Sequence, residues 1–372
     1  MRLELAEPDL EALRRRVKSL AEQRPGIYRM LDASGRVLYV GKAKRVRARL
    51  LTYFQASFPG DKGARILHAA SDLNWDYVPS EFAAHLAELR EIRKWRPPYN
   101  VQMNRRRIAV FVAVSAHPAP KLSRTTSFAR EGARYYGPLA SPQRTGEAIR
   151  VLSDLFGLRD CADRMPMVFA EQGDLFDAPR QAACSRHELG LCSGPCAGLV
   201  TAREYRERVD AAVAFLEGRA IAPVDRVIDG MMAASERGEF EAAARWRERF
   251  EALEWLLAAT TRARAAIELL TFVYRDPGAQ GDDRAYLIRR GVVRACYPWP
   301  ATPIEDAAFR AVVAGEHTAP APDDDAPLDP GRIEEMLLVM SWFRRHPEAL
   351  RRTSRMEEWL QPADANGSAD PQ

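Results

Sequence analysis

The 372 residues contain no run of 18 apolar residues, which excludes the usual transmembrane helix. The first sixteen residues, MRLELAEPDLEALRRR, lack the apolar core of a secretory signal and read as a charged helix. A cytoplasmic protein with no membrane partner is therefore expected. Cysteine is scarce, at five residues, so a disulfide framework is not expected; metal binding, cluster binding or plain core cysteines remain. Net charge is also small, at +4, and no internal repeat of useful length is present.

What the chain does have is an uneven distribution of that charge. Residues 1–110 hold 22 Lys and Arg against 12 Asp and Glu, whereas the remainder is slightly acidic. A basic end on a near-neutral body suits a module that faces phosphate. With 47% hydrophobic residues there is enough apolar surface for a core, and the length suggests two or three domains.

Pattern and punctuation place a helix over 8–22, strands over Gly26–Leu31 and Val37–Val40, and a helix over Lys42–Phe54 after Gly41. Another helix, Glu81–Trp95, ends before Pro97-Pro98. Further on, 108–115 reads as an apolar strand, Tyr135-Tyr136-Gly137-Pro138 as a turn, and Pro142–Phe156 and Ala202–Leu216 as helices. Two amphipathic helices over 223–258, broken at Gly238, read as a hairpin. Short strands follow at Arg284–Arg289 and Val292–Tyr297, then a Pro/Ala/Asp-rich linker over 318–330, a helix over 331–345, and a disordered tail after Pro362. The fold class expected is α+β.

Chemistry concentrates near the start. With a hairpin centred between Ala33 and Ser34, Tyr28 lies directly across from Tyr39, two phenols on one face. Gly41 permits close backbone approach. Lys42, Arg45 and Arg49 recur at helical spacing, with Tyr53 one turn further on. Phenols beside cations suit a phosphodiester, whose pentavalent transition state carries extra negative charge. In EFAAHLAELREIRKW, Leu86, Leu89 and Ile92 face a core and Glu88 is free to anchor one divalent cation. Lys44, Arg45 and Arg47 are candidate DNA contacts.

PGIYRMLDASGRVLYVGKAKRVRARLLTYF resembles the GIY-YIG signature of UvrC-type excinucleases. The resemblance implies catalytic roles for Tyr28, Tyr39, Lys42, Arg49 and Tyr53, metal ligation by Glu88, and a catalytic part for Asn100. It implies hydrolysis of DNA with one Mg²⁺ or Mn²⁺, leaving a 3′-hydroxyl and a 5′-phosphate. Tyr39 is the expected general base, with Lys42 favouring its phenolate and Tyr28 ordering the water; these two tyrosine roles can be exchanged.

Cys161, Cys184, Cys192 and Cys196 are separated by 22, 7 and 3 residues, a set that suits either a [4Fe–4S] cluster or Zn²⁺, with His187 as an alternative zinc ligand. The surrounding segment resembles the UvrC cysteine region, which implies the iron–sulfur cluster. Cys296 is expected to be a buried small hydrophobe. GEFEAAARWRERFEAL resembles the UVR motif, which implies docking of Phe240, Arg247 and Phe250 on a UvrB-like partner.

The expected domains are 1–104 (nuclease, with the N-terminal helix), 105–221 (linker strand and cysteine cluster), 222–258 (hairpin), 259–360 (a small region of unknown role) and 361–372 (tail). The chain is too short for the second nuclease and the paired DNA-binding helices of full-length UvrC. It resembles the shortened, Cho-like homologues, which implies one incision 3′ of a lesion in double-stranded damaged DNA. The alternatives are a lesion-independent GIY-YIG endonuclease and a catalytically silent DNA-binding adaptor.

Overall fold

The computed structural model describes residues 9–101, 109–128, 132–172, 184–318 and 330–361. They divide into two compact units. One holds residues up to 107 together with 268–320 and the chain from 334 onward; the other holds 108–267 and 321–333.

The chain begins with helix α1 (Leu10–Leu20), whose N-terminus is capped by the Asp9 carboxylate accepting from the Ala12 amide. Strands β1 (Gly26–Leu31) and β2 (Val37–Ala43) form a hairpin. In its turn, Asp32 accepts from the amides of Ser34 and Arg36, the local bonding that makes Asp a turn residue. Helices α2 (Val46–Tyr53) and α3 (Lys62–Ala69) follow, then β3 (Asp72–Tyr77), α4 (Glu81–Trp95) and the short α5 (Pro98–Val101). The sheet is antiparallel in the order β2-β1-β3. Its core gathers Val17, Met30, Val46, Leu50, Leu67 and Leu73, all essentially excluded from solvent. Gly26 is required where the backbone of Asp76 and the Val46 side chain leave no room for a Cβ.

Two expectations change here. Strand β2 runs through Ala43, so Lys42 lies on a strand and does not share a helix face with Arg45 and Arg49. A register shift near Met30 pairs Tyr28 with Gly41 and Tyr39 with Met30, so the tyrosines are diagonal neighbours on one face. Helix α3 and strand β3 were not anticipated.

The second unit opens with a sheet of β4 (Val110–Val114), β5 (Leu122–Thr125) and β6 (Arg134–Leu139), in the order β5-β4-β6. The Tyr135–Pro138 segment is therefore strand, not turn. Proline is tolerated there because β6 is an edge strand with an irregular register. Helix α6 (Pro142–Phe156) starts at the Ser141 cap and stops at Gly157, which adopts the left-handed conformation. Helices α7 (Ser185–Glu188) and α8 (Ala202–Leu216) follow, the latter opened by a Thr201/Glu204 capping box. Helices α9 (Ala222–Glu236) and α10 (Phe240–Glu268) form the expected hairpin around Gly238, with α10 running ten residues beyond the expected end. A side chain at Gly230 would come within 2.7 Å of the Trp246 indole, so glycine lets the two helices close. The shared core includes Val112, Leu152, Tyr205, Phe215, Val227 and Leu256.

The chain then forms β7 (Phe272–Asp276), β8 (Arg284–Arg289), β9 (Val292–Pro298), α11 (Pro303–Thr318), α12 (Pro330–Arg345) and β10 (Thr353–Ser354), with 3₁₀ turns at Pro347–Arg352 and Met356–Trp359. The antiparallel sheet has the order β10-β7-β8-β9. Alternation along the strands divides its faces. Val273, Ala285 and Leu287 meet Phe309 and Val313 of α11. Phe272, Tyr274, Tyr286 and Ile288 meet Trp342 and Phe343 of α12, and also Phe82 and Leu86 of α4. Fully buried Phe82 packs edge-on against Tyr274 and Tyr286, with centroids 5.3 and 5.0 Å away. Residues 268–318 and 334–361 thus fall in one compact unit with the first hundred residues, where a small region by itself was expected. Cys296, expected to be buried, is exposed on the edge strand β9. Much of the expected 318–330 linker and nearly all of the expected tail lie outside the described residues.

Candidate active site

Three tyrosines converge above the first sheet. The rings of Tyr28, Tyr39 and Tyr53 form a triangle with centroid separations of 6.2, 5.9 and 6.4 Å. β1 supplies Tyr28, β2 supplies Tyr39, and the last turn of α2 supplies Tyr53. The hydroxyls of Tyr28 and Tyr53 are hydrogen-bonded at 2.8 Å. Gly41 lies beneath the Tyr28 phenol, where any Cβ would overlap the ring carbon that bears the hydroxyl.

Arg49, one turn before Tyr53, donates from Nε to the Tyr28 hydroxyl at 3.3 Å, and its guanidinium lies 5.1 Å from the Tyr53 ring centre. Lys42 forms an ion pair with Glu88, the carboxylate that α4 presents to the sheet. Glu88 keeps 19% and Lys42 30% of its side-chain surface exposed, so the pair is reachable from solvent.

Burial pushes the Tyr28 phenol well above the ordinary tyrosine range, and the neighbouring Tyr39 adds to the rise; the Tyr53 hydrogen bond and Arg49 offset part of it. Tyr39 is raised first by burial and then by Tyr53, with Glu88 contributing. Tyr53 is raised by burial and by Tyr28. All three phenols are neutral in this arrangement. The expectation that Lys42 favours a Tyr39 phenolate is corrected, because Lys42 is held by Glu88 and the Glu88 charge opposes ionisation of Tyr39.

Asn100 is buried and reaches the site through the backbone. It accepts from the Val40 amide and donates to the Val40 carbonyl, each at 2.8 Å, between Tyr39 and Gly41. That is a positioning role, distinct from the catalytic part expected of it. Lys44 and Arg45 are exposed, Lys44 within 3.7 Å of Glu81, whereas Arg47 is occupied by the Ala21 carbonyl at the end of α1.

Two participants were not foreseen. Ser80 caps α4 by accepting from the Ala83 amide at 3.0 Å, and it donates to buried Asp276 of β7. His85, one turn before Glu88, stands 5.6 Å from the Trp342 ring. The Ser80 cap has a sequence signal; its partner 196 residues away and the His85 neighbours have none.

In the second unit, Cys192 is buried, Cys161 and Cys196 are half-buried, and Cys184 is exposed. Burial raises the Cys192 thiol pKa, with Cys184, Cys196 and Cys161 each adding to the rise, so the other three thiols lie within electrostatic reach of Cys192. Arg159, 1% exposed, donates to the Cys161 thiol at 3.4 Å. The His187 ring Nδ1 is 3.0 Å from the Cys192 carbonyl. Among the described residues, no three His, Cys, Asp or Glu side chains are already arranged around one metal position. In the hairpin, Phe240 is 77% exposed, Arg247 pairs with Glu251 at 3.1 Å, and Phe250 is half-buried against the core of its own unit.

A paired-strand phenol cluster, an arginine over it and a carboxylate on the facing helix define a GIY-YIG nuclease domain. Residues 24–101 match the family model of the UvrC-like GIY-YIG domain, and residues 109–215 match that of the UvrC/Cho excinuclease middle domain. Through these two matched stretches the chain is UvrC/Cho-like. It is 35% identical over 239 residues to UvrABC system protein C of Alkalilimnicola ehrlichii, an alignment covering 64% of this chain and 37% of that protein. With the Moorella thermoacetica protein of the same name it shares 35% identity over 62% of this chain and 36% of the relative. The aligned part thus spans little more than a third of these curated relatives. The magnesium-bound GIY-YIG N-terminal endonuclease domain of UvrC from Thermotoga maritima is 36% identical, with 97% of that domain and 24% of this chain covered and a TM-score of 0.22.

Proposed function

We propose that this chain hydrolyses one DNA phosphodiester on the 3′ side of a lesion, using a single divalent metal. The observation that carries this reading is the Tyr28–Tyr39–Tyr53 cluster with Arg49 on one side and the Lys42–Glu88 pair on the other. Glu88 is the carboxylate that would hold Mg²⁺ or Mn²⁺, which supplies charge stabilisation at the scissile phosphate. Its ion pair with Lys42 suits such a site, since the lysine neutralises the carboxylate and is released when a metal takes its place. Arg49 clamps a phosphate oxygen and stabilises transition-state charge. Tyr28 orders the attacking water, and Tyr39, after its phenol has released its own proton to solvent, accepts a proton from that water as the phenolate. Neutralising Glu88 removes one of the causes that hold Tyr39 protonated.

The four thiols fit an anionic metal cluster in donor chemistry, and the buried Arg159 guanidinium supplies a compensating charge. A [4Fe–4S] cluster is the reading proposed, with zinc as the alternative; it is structural, and no hydrolytic step passes through it. The exposed tip of the α9–α10 hairpin, with Phe240 foremost, is proposed to dock on a UvrB-like protein.

The test is incision of a duplex carrying one site-specific lesion, mapped at nucleotide resolution with and without UvrB. A single UvrB-stimulated cut 3′ of the lesion supports the proposal. Equal cutting of damaged and undamaged DNA without UvrB would favour a lesion-independent nuclease. Two cuts would require a second active site.

A further inference from the structure

The segment SWFRRHPEALRRTSR, from the end of α12 to just past β10, carries five arginines against one glutamate. Arg344, Arg345, Arg351, Arg352 and Arg355 are all exposed. No carboxylate stands within salt-bridge distance of any of them among the described residues, and Arg345 is bonded only to Ser341 of its own helix. The single glutamate, Glu348, faces His346 at 3.2 Å. A surface with this excess of positive charge favours an anionic partner.

Packing gives this segment its place. Trp342 and Phe343 are buried against Phe82 and Leu86 of α4, the helix that carries Glu88. His85 lies between, 5.6 Å from the Trp342 ring, and Trp342 in turn lies 4.0 Å from the His346 ring. Burial, helped by the positive charges of Lys42, Arg345 and His346, pushes the His85 pKa down to about 3. One side chain therefore feels both the active-site lysine and the arginine of α12. At the start of α4, Asp276 holds Ser80 and also feels the charge of Arg352. The arginine-bearing bend thus accompanies α4 from its cap toward the turn that bears Glu88.

We propose that Arg344, Arg345, Arg351 and Arg352 form a second phosphate-binding surface, which grips duplex DNA beside the scissile bond. The proposal rests on the reading of the Tyr28–Glu88 site as a DNA nuclease. It assigns a task to the region 268–361, which extends the basic face of the first hundred residues with charges that arrive from the far end of the chain. Flexible exposed arginines suit backbone contact, which is indifferent to sequence, and they touch no reacting atom.

The experiment uses the full chain in a Glu88→Gln background, with a fluorescent 30-base-pair duplex and Kd measured over a range of salt. Arg344→Ala/Arg345→Ala is expected to weaken binding about tenfold at low salt. It should also flatten the slope of log Kd against log salt by about 2, as the loss of two phosphate contacts requires. The matching pair of lysine replacements should restore most of both, and thermal melting should be unchanged. With Glu88 intact, single-turnover cutting at saturating DNA should stay within about twofold. An unchanged Kd and salt slope would overturn the surface even if the wild-type chain cuts DNA normally. A wild-type chain that binds and responds to these replacements but never cuts would refute the nuclease reading and leave the surface standing.

Discussion

Asp276→Asn separates the brace on α4 from every other source of stability. Asp276 is 3% exposed, and burial raises its pKa from 3.8 to about 6; hydrogen bonds from Ser80 and Tyr274 and the charge of Arg352 offset part of the rise, while Asp283 adds to it. Between these two pH values the folded chain holds a proton that the unfolded chain has released. Stability therefore declines as pH rises through the window, by about 3 kcal/mol at full extent, of which about 2 kcal/mol falls between pH 4.5 and 7.5. Asparagine keeps the shape and an acceptor for Ser80 but has no charge to bury, so the variant should lose that decline. Because the chain has two units, a single unfolding midpoint is a poor measure. Hydrogen exchange of peptides covering 80–95 and 272–276, in urea at pH 4.5 and 7.5, reads the relevant unit. Wild-type protein should be less protected at the higher pH by about 2 kcal/mol, with the variant nearly level. Parallel behaviour of the two proteins would show that Asp276 stays ionised in the folded state.

Glu88→Gln and Arg49→Ala should each slow incision by about a hundredfold or more, with DNA affinity within a few-fold of wild type by anisotropy. A Tyr39 that is protonated at rest and acts as phenolate predicts single-turnover rates that rise about tenfold per pH unit from pH 6 to 9; Tyr39→Phe should be slow and flat, and a flat wild-type profile would remove Tyr39 from that role. Anaerobically purified protein should be brown with about four irons per chain, and Cys192→Ser or Cys196→Ser should bleach it; zinc without iron would support the structural alternative. Phe240→Ala should weaken binding to the C-terminal hairpin of UvrB in calorimetry without changing the melting of the chain, because Phe240 is 77% exposed; undiminished binding would move the docking site elsewhere. Phe250→Asp should lower both, since Phe250 is half-buried.

The candidate site was legible in the sequence because its residues are local. Tyr28 through Tyr53 span one hairpin and one helix, and Glu88 sits on a helix bounded by a visible cap and a visible proline stop. The end of β2 was misplaced because Gly41 punctuates like a terminator, whereas here it is the strand position that accepts the Tyr28 ring. Gly137-Pro138 misled in the same way, since an edge strand tolerates what a central one does not. The union of α4 with β7, β8 and α12 left no trace in pattern. Phe82 and Tyr274 are ordinary apolar residues of two segments nearly two hundred positions apart, and only packing joins them.

The Asn100 amide, placed flat against Val40, also closes an edge. β2 is an outer strand, and Val40 would otherwise offer an unpaired N–H and C=O, the template on which another chain can add itself. The side chain occupies both groups as a neighbouring strand would, in a space one residue wide. The nuclease function proposed above calls for a site open to a duplex and an edge closed to a polypeptide. A single asparagine meets both requirements, and Asn100→Ala should reveal it as self-association before it reveals it as lost activity.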